Sequence, residues 1–198
     1  MEQATLGRAP GTPPRCRSAS FLSTVADEFR DYRDQLRGDL TRHNVAVKVQ
    51  EDFRGLGGET LDKLDVYIAH CDAVVHLVGD MFGFAPTEQE VQALLRKYPA
   101  LPANLPPLDA ALKGGEAVSY TQWEAWLALH HGKLLLIAQA APDAPRGPAF
   151  GPADASRAAQ AANLARLRAA GRYPDSTFAH ADELAKQIAY TGILDLLV

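Results

Sequence analysis

A mostly apolar run rich in β-branched residues directly follows an aspartate in the stretch Asp72-Ala73-Val74-Val75-His76-Leu77-Val78. Continuous runs of this kind are typical of strands that are buried on both faces of a parallel sheet. Leu134-Leu135-Leu136-Ile137 is the most apolar strand candidate in the chain. The two runs therefore predict two central, buried strands of an α/β domain.

The remaining elements follow from the residues around these two strands. Further strands are predicted at 16–22 and 45–49, with a short edge strand within 172–178. Helical spacing predicts helices at 25–42, 61–68, 120–131, 154–170 and 181–198. Strands that alternate with helices favour a mostly parallel sheet. In such a sheet the ligand site lies at the carboxyl ends of the strands.

Residues 87–113 are interpreted as a helical insertion beside that site. Thr87 and Glu90 have the spacing of a capping box and predict a helix that ends near Lys97. A further helical turn or two is expected at 108–112. The prolines of this segment are expected to interrupt the chain; they are Pro99, Pro102, Pro106 and Pro107.

The first helix has a polar start. Ser23 and Thr24 are its candidate N-caps, because a hydroxyl at that position can accept a backbone N–H. Asp27 and Glu28 then place negative charge in the first turn, where it complements the helix dipole.

Composition limits the classes of protein to be considered. The 198 residues fit one domain at 15–198 after a Gly/Pro/Thr-rich, flexible leader at 1–14. The formal charge of −4 disfavours direct nucleic-acid binding, which needs a basic face. The two cysteines, Cys16 and Cys71, give no disulfide framework and indicate a reducing, cytoplasmic location. No apolar run is long enough for a membrane span, and the leader lacks the apolar segment of a signal peptide.

Several common catalytic motifs are missing from the sequence. Neither the Walker A loop nor the dinucleotide G-x-G-x-x-G pattern occurs, and the glycines at 55, 57 and 58 are interpreted as a mobile loop. The G-x-S-x-G nucleophile motif is also missing. None of the six histidines has metal-ligand spacing, so no metal site is predicted.

The segment 119–133 holds the most informative carboxylate. Glu124 lies near the start of a predicted helix, among Tyr120, Trp123 and Trp126. Aromatic neighbours shield an acid from water and can perturb its ionisation, which is common at functional sites. The alternative is that Glu124 only complements the helix dipole. The pattern alone leaves both interpretations open.

The same segment resembles the glutamate helix of TIR domains. An aromatic residue precedes Glu124 by four positions, Ala128-Leu129 follow it, and Gly132-Lys133 precede the apolar strand. Tyr120 is a departure, since tryptophan is usual at that position.

A TIR-like branch at the N-termini of prokaryotic NTPase and tetratricopeptide proteins is more similar still. The matching segments are Phe21-Leu22-Ser23-Thr24, Glu51-Asp52-Phe53, Asp72, 79–83 and Ser119-Tyr120-Thr121. The resemblance covers roughly 16–197 apart from 87–113. It implies a flavodoxin-like, three-layer sandwich with a five-stranded parallel sheet, and we expect the strand order 2-1-3-4-5.

The resemblance also implies cleavage of the nicotinamide–ribose bond of NAD⁺, which is then the substrate and not a cofactor. Nicotinamide is cationic in NAD⁺ and leaves as a neutral molecule, so one carboxylate suffices where other glycoside hydrolases use two. Glu124 is the candidate catalytic residue, because a carboxylate can stabilise an oxocarbenium-like ribose. Tyr120 and Trp123 are expected to wall the pocket. Phe21, Ser23 and Phe53 are expected to contact nicotinamide or ribose, although packing of these loop residues is an equal alternative.

Two other functions stay open at this stage. TIR domains also act as non-catalytic adaptors that self-associate, and nucleoside deoxyribosyltransferases share a related fold and bond type. An effector of a bacterial defence or signalling system is implied, which self-associates and takes its trigger from a partner or a further sensor domain.

Overall fold

A computed structural model describes residues 18–41, 45–49 and 60–190 of the chain. These residues form one parallel sheet of five strands in the order β2-β1-β3-β4-β5. The strands are β1 (Ser18–Ser23), β2 (Val45–Lys48), β3 (Ala73–Val78), β4 (Leu134–Ala140) and β5 (Ser176–Phe178). The expected order and the parallel pairing are confirmed.

Helices cover both faces of the sheet and give the expected flavodoxin-like architecture of three layers. In the described residues they are α1 (Ala26–Leu40), α2 (Thr60–Ala69), α3 (Glu88–Lys97), α4 (Leu101–Asn104), α5 (Pro106–Lys113), α6 (Tyr120–His130), α7 (Asp154–Ala169) and α8 (Ala181–Tyr190). One apolar core joins the sheet to α2, α6, α7 and the insertion, and the other joins it to α1 and α8.

β3 divides its side chains between these two cores. Val74 and Val78 pack on the α6 side, whereas Val75 and Leu77 pack on the α1 side. All six residues of the strand are buried. The continuous apolar run therefore has the physical cause that was expected, burial on both faces of a parallel sheet.

The start of α1 differs from the sequence expectation. Val25 occupies the N-cap position, and among the described residues no side chain caps it. Ser23 is instead the last residue of β1, where its hydroxyl bonds the ring of buried His76 on β3. The N-cap prediction was wrong for Ser23 because its hydroxyl is bonded inside the sheet, and wrong for Thr24 because the N-cap lies one residue further on, at Val25.

The prolines of the insertion also behave differently from the expectation. Pro102 and the pair Pro106-Pro107 lie in the first turns of α4 and α5 rather than in breaks between structured pieces. Proline suits the first helical turn, because its missing N–H would have no intrahelical partner there. The capping box of Thr87 and Glu90 at the start of α3 is confirmed in both directions.

A buried aspartate on α2 anchors the far end of α3. Asp65 Oδ2 is 2.8 Å from Lys97 Nζ and accepts the Tyr98 hydroxyl at 3.0 Å, while Asp65 Oδ1 lies 2.7 Å from His131 Nε2. Burial alone would raise the pKa of Asp65, but the hydrogen bonds from Lys97, His131 and Tyr98 hold it below its ordinary value. The cluster joins α2, α3 and the end of α6, close to the amino end of β4.

Some sequence expectations lie outside the described residues. They concern the leader at 1–14, Cys16, the glycines at 55, 57 and 58, and the end of the last helix beyond Tyr190.

Candidate functional site

A cavity of about 800 Å³ opens at the carboxyl ends of β1 and β3. Its walls come from the segments that follow these two strands and from the first turns of α1, α6 and α7. The described residues that line it are Thr24, Val25, Ala26, Asp27, Arg30, Thr60, Lys63, Met81, Phe82, Gly83, Phe84, Tyr120, Thr121, Gly151, Pro152, Ala153 and Ser156. The site therefore lies at the edge of the sheet that the topology predicts.

The segment after β3 is fixed by a buried ion pair. Glu28 Oε1 accepts the backbone N–H of Asp80 at 2.9 Å, and Oε2 accepts that of Met81 at 2.8 Å. Arg146 Nε donates to the same Oε1 at 2.9 Å. A Cβ atom at Gly79 would lie 2.1 Å from that oxygen, so the close approach of the carboxylate requires glycine there. Glu28 thus does much more than complement the helix dipole.

α7 holds the same segment from the other side. The Ser156 hydroxyl accepts the backbone N–H of Phe82 at 2.6 Å and donates to the Asp80 carbonyl at 2.8 Å. The Gln160 side-chain amide donates to the Met81 carbonyl at 2.9 Å. Backbone groups on both sides of the segment are therefore bonded, and this wall of the cavity is preorganised.

Tyr120 joins the cavity to the insertion. Its hydroxyl lies 3.0 and 2.9 Å from the two carboxylate oxygens of Glu90, and its backbone N–H donates to the Phe84 carbonyl. Burial would raise the pKa of Glu90, but the N–H of Thr87, the Tyr120 hydroxyl and the N–H of Leu61 hold it below its ordinary value. Tyr120, which the TIR resemblance gives as a pocket wall, lines this cavity.

Ser23 and His76 form a buried polar pair beneath the first turn of α6. Ser23 Oγ is 2.8 Å from His76 Nδ1 and 3.5 Å from the Thr121 carbonyl oxygen. Burial lowers the pKa of His76 to about 4, so the ring is neutral near neutral pH. The pair links β1 and β3 to α6, and Ser23 itself is buried behind the cavity-lining residue Thr24.

Glu124 lies on α6 one turn beyond Tyr120 and is 2 % exposed. Its side chain is outside the cavity lining that the described residues form. Helical side chains lean toward the helix N-terminus, which at α6 is the end that borders the cavity. The candidate carboxylate therefore lies one helical turn from a cavity-lining residue and is covered in this structure.

The other predicted contact residues divide into two groups. Phe21 and Trp123 are fully buried in the apolar core beside α6, so the structure uses them for packing and not as cavity walls. For Phe21 the structure therefore shows the packing alternative. Trp123 does not line the cavity, whose described aromatic lining residues are Tyr120, Phe82 and Phe84. Phe53 lies outside the described residues.

Several residues at the site were missed by sequence reasoning. Phe84 is 81 % exposed at the cavity although it is aromatic, and Arg30 and Lys63 place positive charge there. Arg30 lies one helical turn beyond Ala26 on α1, so the two residues share the face of the helix that borders the cavity. No local pattern indicates the Glu28–Arg146 pair, because its members are 118 positions apart.

The fold class is that of doubly wound, flavodoxin-like α/β proteins with a cavity at the carboxyl edge of the sheet. Comparisons with protein-family models, curated proteins and solved structures find no match to this chain. Within the described residues, no group of three or more histidine, cysteine or acidic side chains could hold a metal ion. In the same part of the chain no helix is both long and apolar enough to cross a membrane.

Proposed function

We propose that this protein is a TIR-like NAD⁺ glycohydrolase. The observation that carries the proposal is the cavity of about 800 Å³ with the start of α6 in its wall. Pockets of roughly 300–1,000 Å³ are the size that takes small ligands and cofactors. Glu124, the carboxylate that the TIR resemblance singles out, follows Tyr120 on that helix by one turn.

The chemistry needs one carboxylate beside the ribose. As the bond to nicotinamide breaks, positive charge develops on the ribose, and a fixed negative group stabilises it most where water is excluded. Four residues of helix span about 6 Å, so Glu124 lies within one turn of the cavity-lining Tyr120. Because Glu124 is covered here, substrate binding must rearrange the side chains that cover it to bring ribose to the carboxylate.

The burial of Glu124 favours one alternative, a non-catalytic, self-associating adaptor of the same fold. In that case Glu124 is a structural residue of α6 and the NAD⁺ cleavage rate is zero. A nucleoside deoxyribosyltransferase-like enzyme would instead release base from deoxynucleosides. These three functions differ in their products, which a chromatographic assay separates.

The test is nicotinamide release from NAD⁺ by wild type, Glu124→Gln and a matched control, Glu88→Gln. Removing one preorganised electrostatic contact costs about 100- to 1,000-fold in turnover, so Glu124→Gln should lose that much activity. Glu88 is an exposed first-turn acid of α3, and its replacement should leave the rate unchanged. Equal rates for all three proteins would remove Glu124 from the mechanism. Base release from deoxynucleosides without nicotinamide release would favour the transferase.

Assembly is part of the same proposal. An effector of this kind is expected to be active as an oligomer and to receive its signal from a partner chain or a further domain. Specific activity should therefore rise with protein concentration, together with the oligomeric fraction measured by light scattering. Constant specific activity from a protein that stays monomeric would contradict the assembly requirement and leave the cleavage chemistry intact.

A further inference from the structure

Two positively charged side chains face the cavity from neighbouring helices. Arg30 on α1 and Lys63 on α2 both line it, and in the described part of the chain neither makes an ion pair or a side-chain hydrogen bond. Other cations are paired, including Lys97 with Asp62 and Arg146 with Glu28. The third charged residue among the described lining residues is Asp27, so the described part of the lining carries a net positive charge in a protein of net charge −4.

Further hydrogen-bond donors lie beside these cations. α1 and α7 begin at the cavity with Val25 and Ala153 at their N-caps, and the described residues supply no side-chain cap for either helix. The first N–H groups of such helices carry partial positive charge. Thr24 lines the same wall, and its buried Oγ1 has no hydrogen-bond partner among the described residues. Cations and helix starts therefore line the same cavity.

The remaining wall has a different character. Phe82 and Phe84 from the segment after β3 and Tyr120 from α6 supply three aromatic side chains. Aromatic faces stack on flat rings such as nucleobases. The cavity lining thus combines groups that attract anions with aromatic groups that can stack on a ring.

We propose that Arg30 and Lys63 form a phosphate subsite, and that the ligand of this cavity is a nucleoside diphosphate or a molecule that contains one. The inference rests on the proposed function in one respect, the assignment of the diphosphate to NAD⁺. Arg30 and Lys63 hold the diphosphate near the start of α1. The base and its sugar then lie toward Phe84 and Tyr120.

The test measures binding of ADP and of adenosine by titration calorimetry, since these probes differ only in the diphosphate. Wild type should bind ADP at least tenfold more tightly than adenosine, and added salt should weaken only the ADP complex. Hydrogen bonds to charged groups are strong enough that each lost cation should weaken ADP binding about tenfold. Arg30→Gln combined with Lys63→Gln should therefore weaken ADP binding about 100-fold and leave adenosine binding unchanged.

The matched control removes the same charge elsewhere, with Arg168→Gln and Lys186→Gln, two exposed cations on α7 and α8. This pair should bind ADP as wild type does, and thermal unfolding should show that all proteins are folded. Equal affinity of wild type for ADP and adenosine, no ADP binding, or equal losses in the two double variants would overturn the subsite.

The proposed function fails separately from the subsite. ADP binding does not require bond cleavage, so ADP binding that depends on Arg30 and Lys63, without nicotinamide release, contradicts only the glycohydrolase proposal. Nicotinamide release with an unchanged KM for NAD⁺ in the Arg30→Gln, Lys63→Gln protein contradicts only the subsite.

Discussion

Replacement of Glu28 by glutamine tests the buried ion pair that fixes the cavity wall. The glutamine side chain keeps the shape, but one of its ends is an NH₂ group that can only donate. In the native protein both carboxylate oxygens accept, Oε1 from Asp80 N–H and Arg146 and Oε2 from Met81 N–H. Either orientation of the amide therefore sets a donor against a donor and leaves Arg146 without its counter-charge.

The size of the effect follows from burial. The side chains of Glu28 and Arg146 are 0 % and 9 % exposed. Removing one partner of a buried pair costs about 3–5 kcal/mol, because the other charge stays buried and uncompensated. Since the isosteric amide keeps the packing and one acceptor, we expect a loss of about 3 kcal/mol in the free energy of unfolding.

Asp27→Asn is the matched control, because Asp27 is an exposed acid in the same first turn of α1. Loss of its interaction with the helix dipole should cost about 0.3–1 kcal/mol. The assay is urea unfolding followed by circular dichroism, with linear extrapolation to water. If Glu28→Gln is no more destabilising than Asp27→Asn, Glu28 acts only through the dipole and the ion-pair explanation is refuted.

Three further predictions concern neighbouring parts of the site. Gly79→Ala should destabilise the protein by more than about 2 kcal/mol, because a Cβ there overlaps the Glu28 carboxylate, and in urea unfolding the loss combined with Glu28→Gln should be less than additive. Tyr120→Phe should cost about 1.5 kcal/mol of stability through the lost bond to Glu90, and Tyr120→Ala should cost more; an unchanged urea midpoint for Tyr120→Phe would contradict that bond. Burial lowers the pKa of His76 to about 4, so between pH 6.5 and 4 the unfolded chain binds more protons than the folded protein. The free energy of unfolding should therefore decrease by on the order of 3 kcal/mol as the pH is lowered from 6.5 to 4. A folded His76→Gln variant should show a flatter dependence on pH, and the same slope in both proteins would assign the effect to other groups.

The fold could be predicted where local signals and packing agree. The run 73–78 became β3 with the expected bounds, because burial on both faces demands a continuous apolar strand. The Thr87–Glu90 capping box is local in sequence, and it formed as expected. The start of α1 was mispredicted because Ser23 is bonded to His76, 53 positions away, and no local pattern contains that partner.

The candidate site was accessible to sequence reasoning only in part. The expectation that Tyr120 walls a pocket came from the TIR resemblance, and Tyr120 lines the cavity because α6 begins at the carboxyl edge of the sheet. The burial of Phe21 and Trp123 could not be predicted, since aromatic residues near a strand end serve equally as walls or as core. The burial of Glu124 depends on side chains from other elements, which no local pattern contains. Arg30 and Lys63 come together only when α1 and α2 flank the same cavity.

The two attachments of α3 to α2 have a mechanical consequence. At one end of α3, Glu90 accepts the N–H of Leu61, and at the other end Lys97 and Tyr98 bind Asp62 and Asp65. Because α3 is bonded to α2 at both of its ends, it cannot rotate independently of α2. α2 and α3 should therefore travel together as one rigid body, carrying Lys63 and the hydrogen-bond partner of the Tyr120 hydroxyl in the same displacement. Any opening of the cavity on this side would then alter charge and aromatic contacts in a single step.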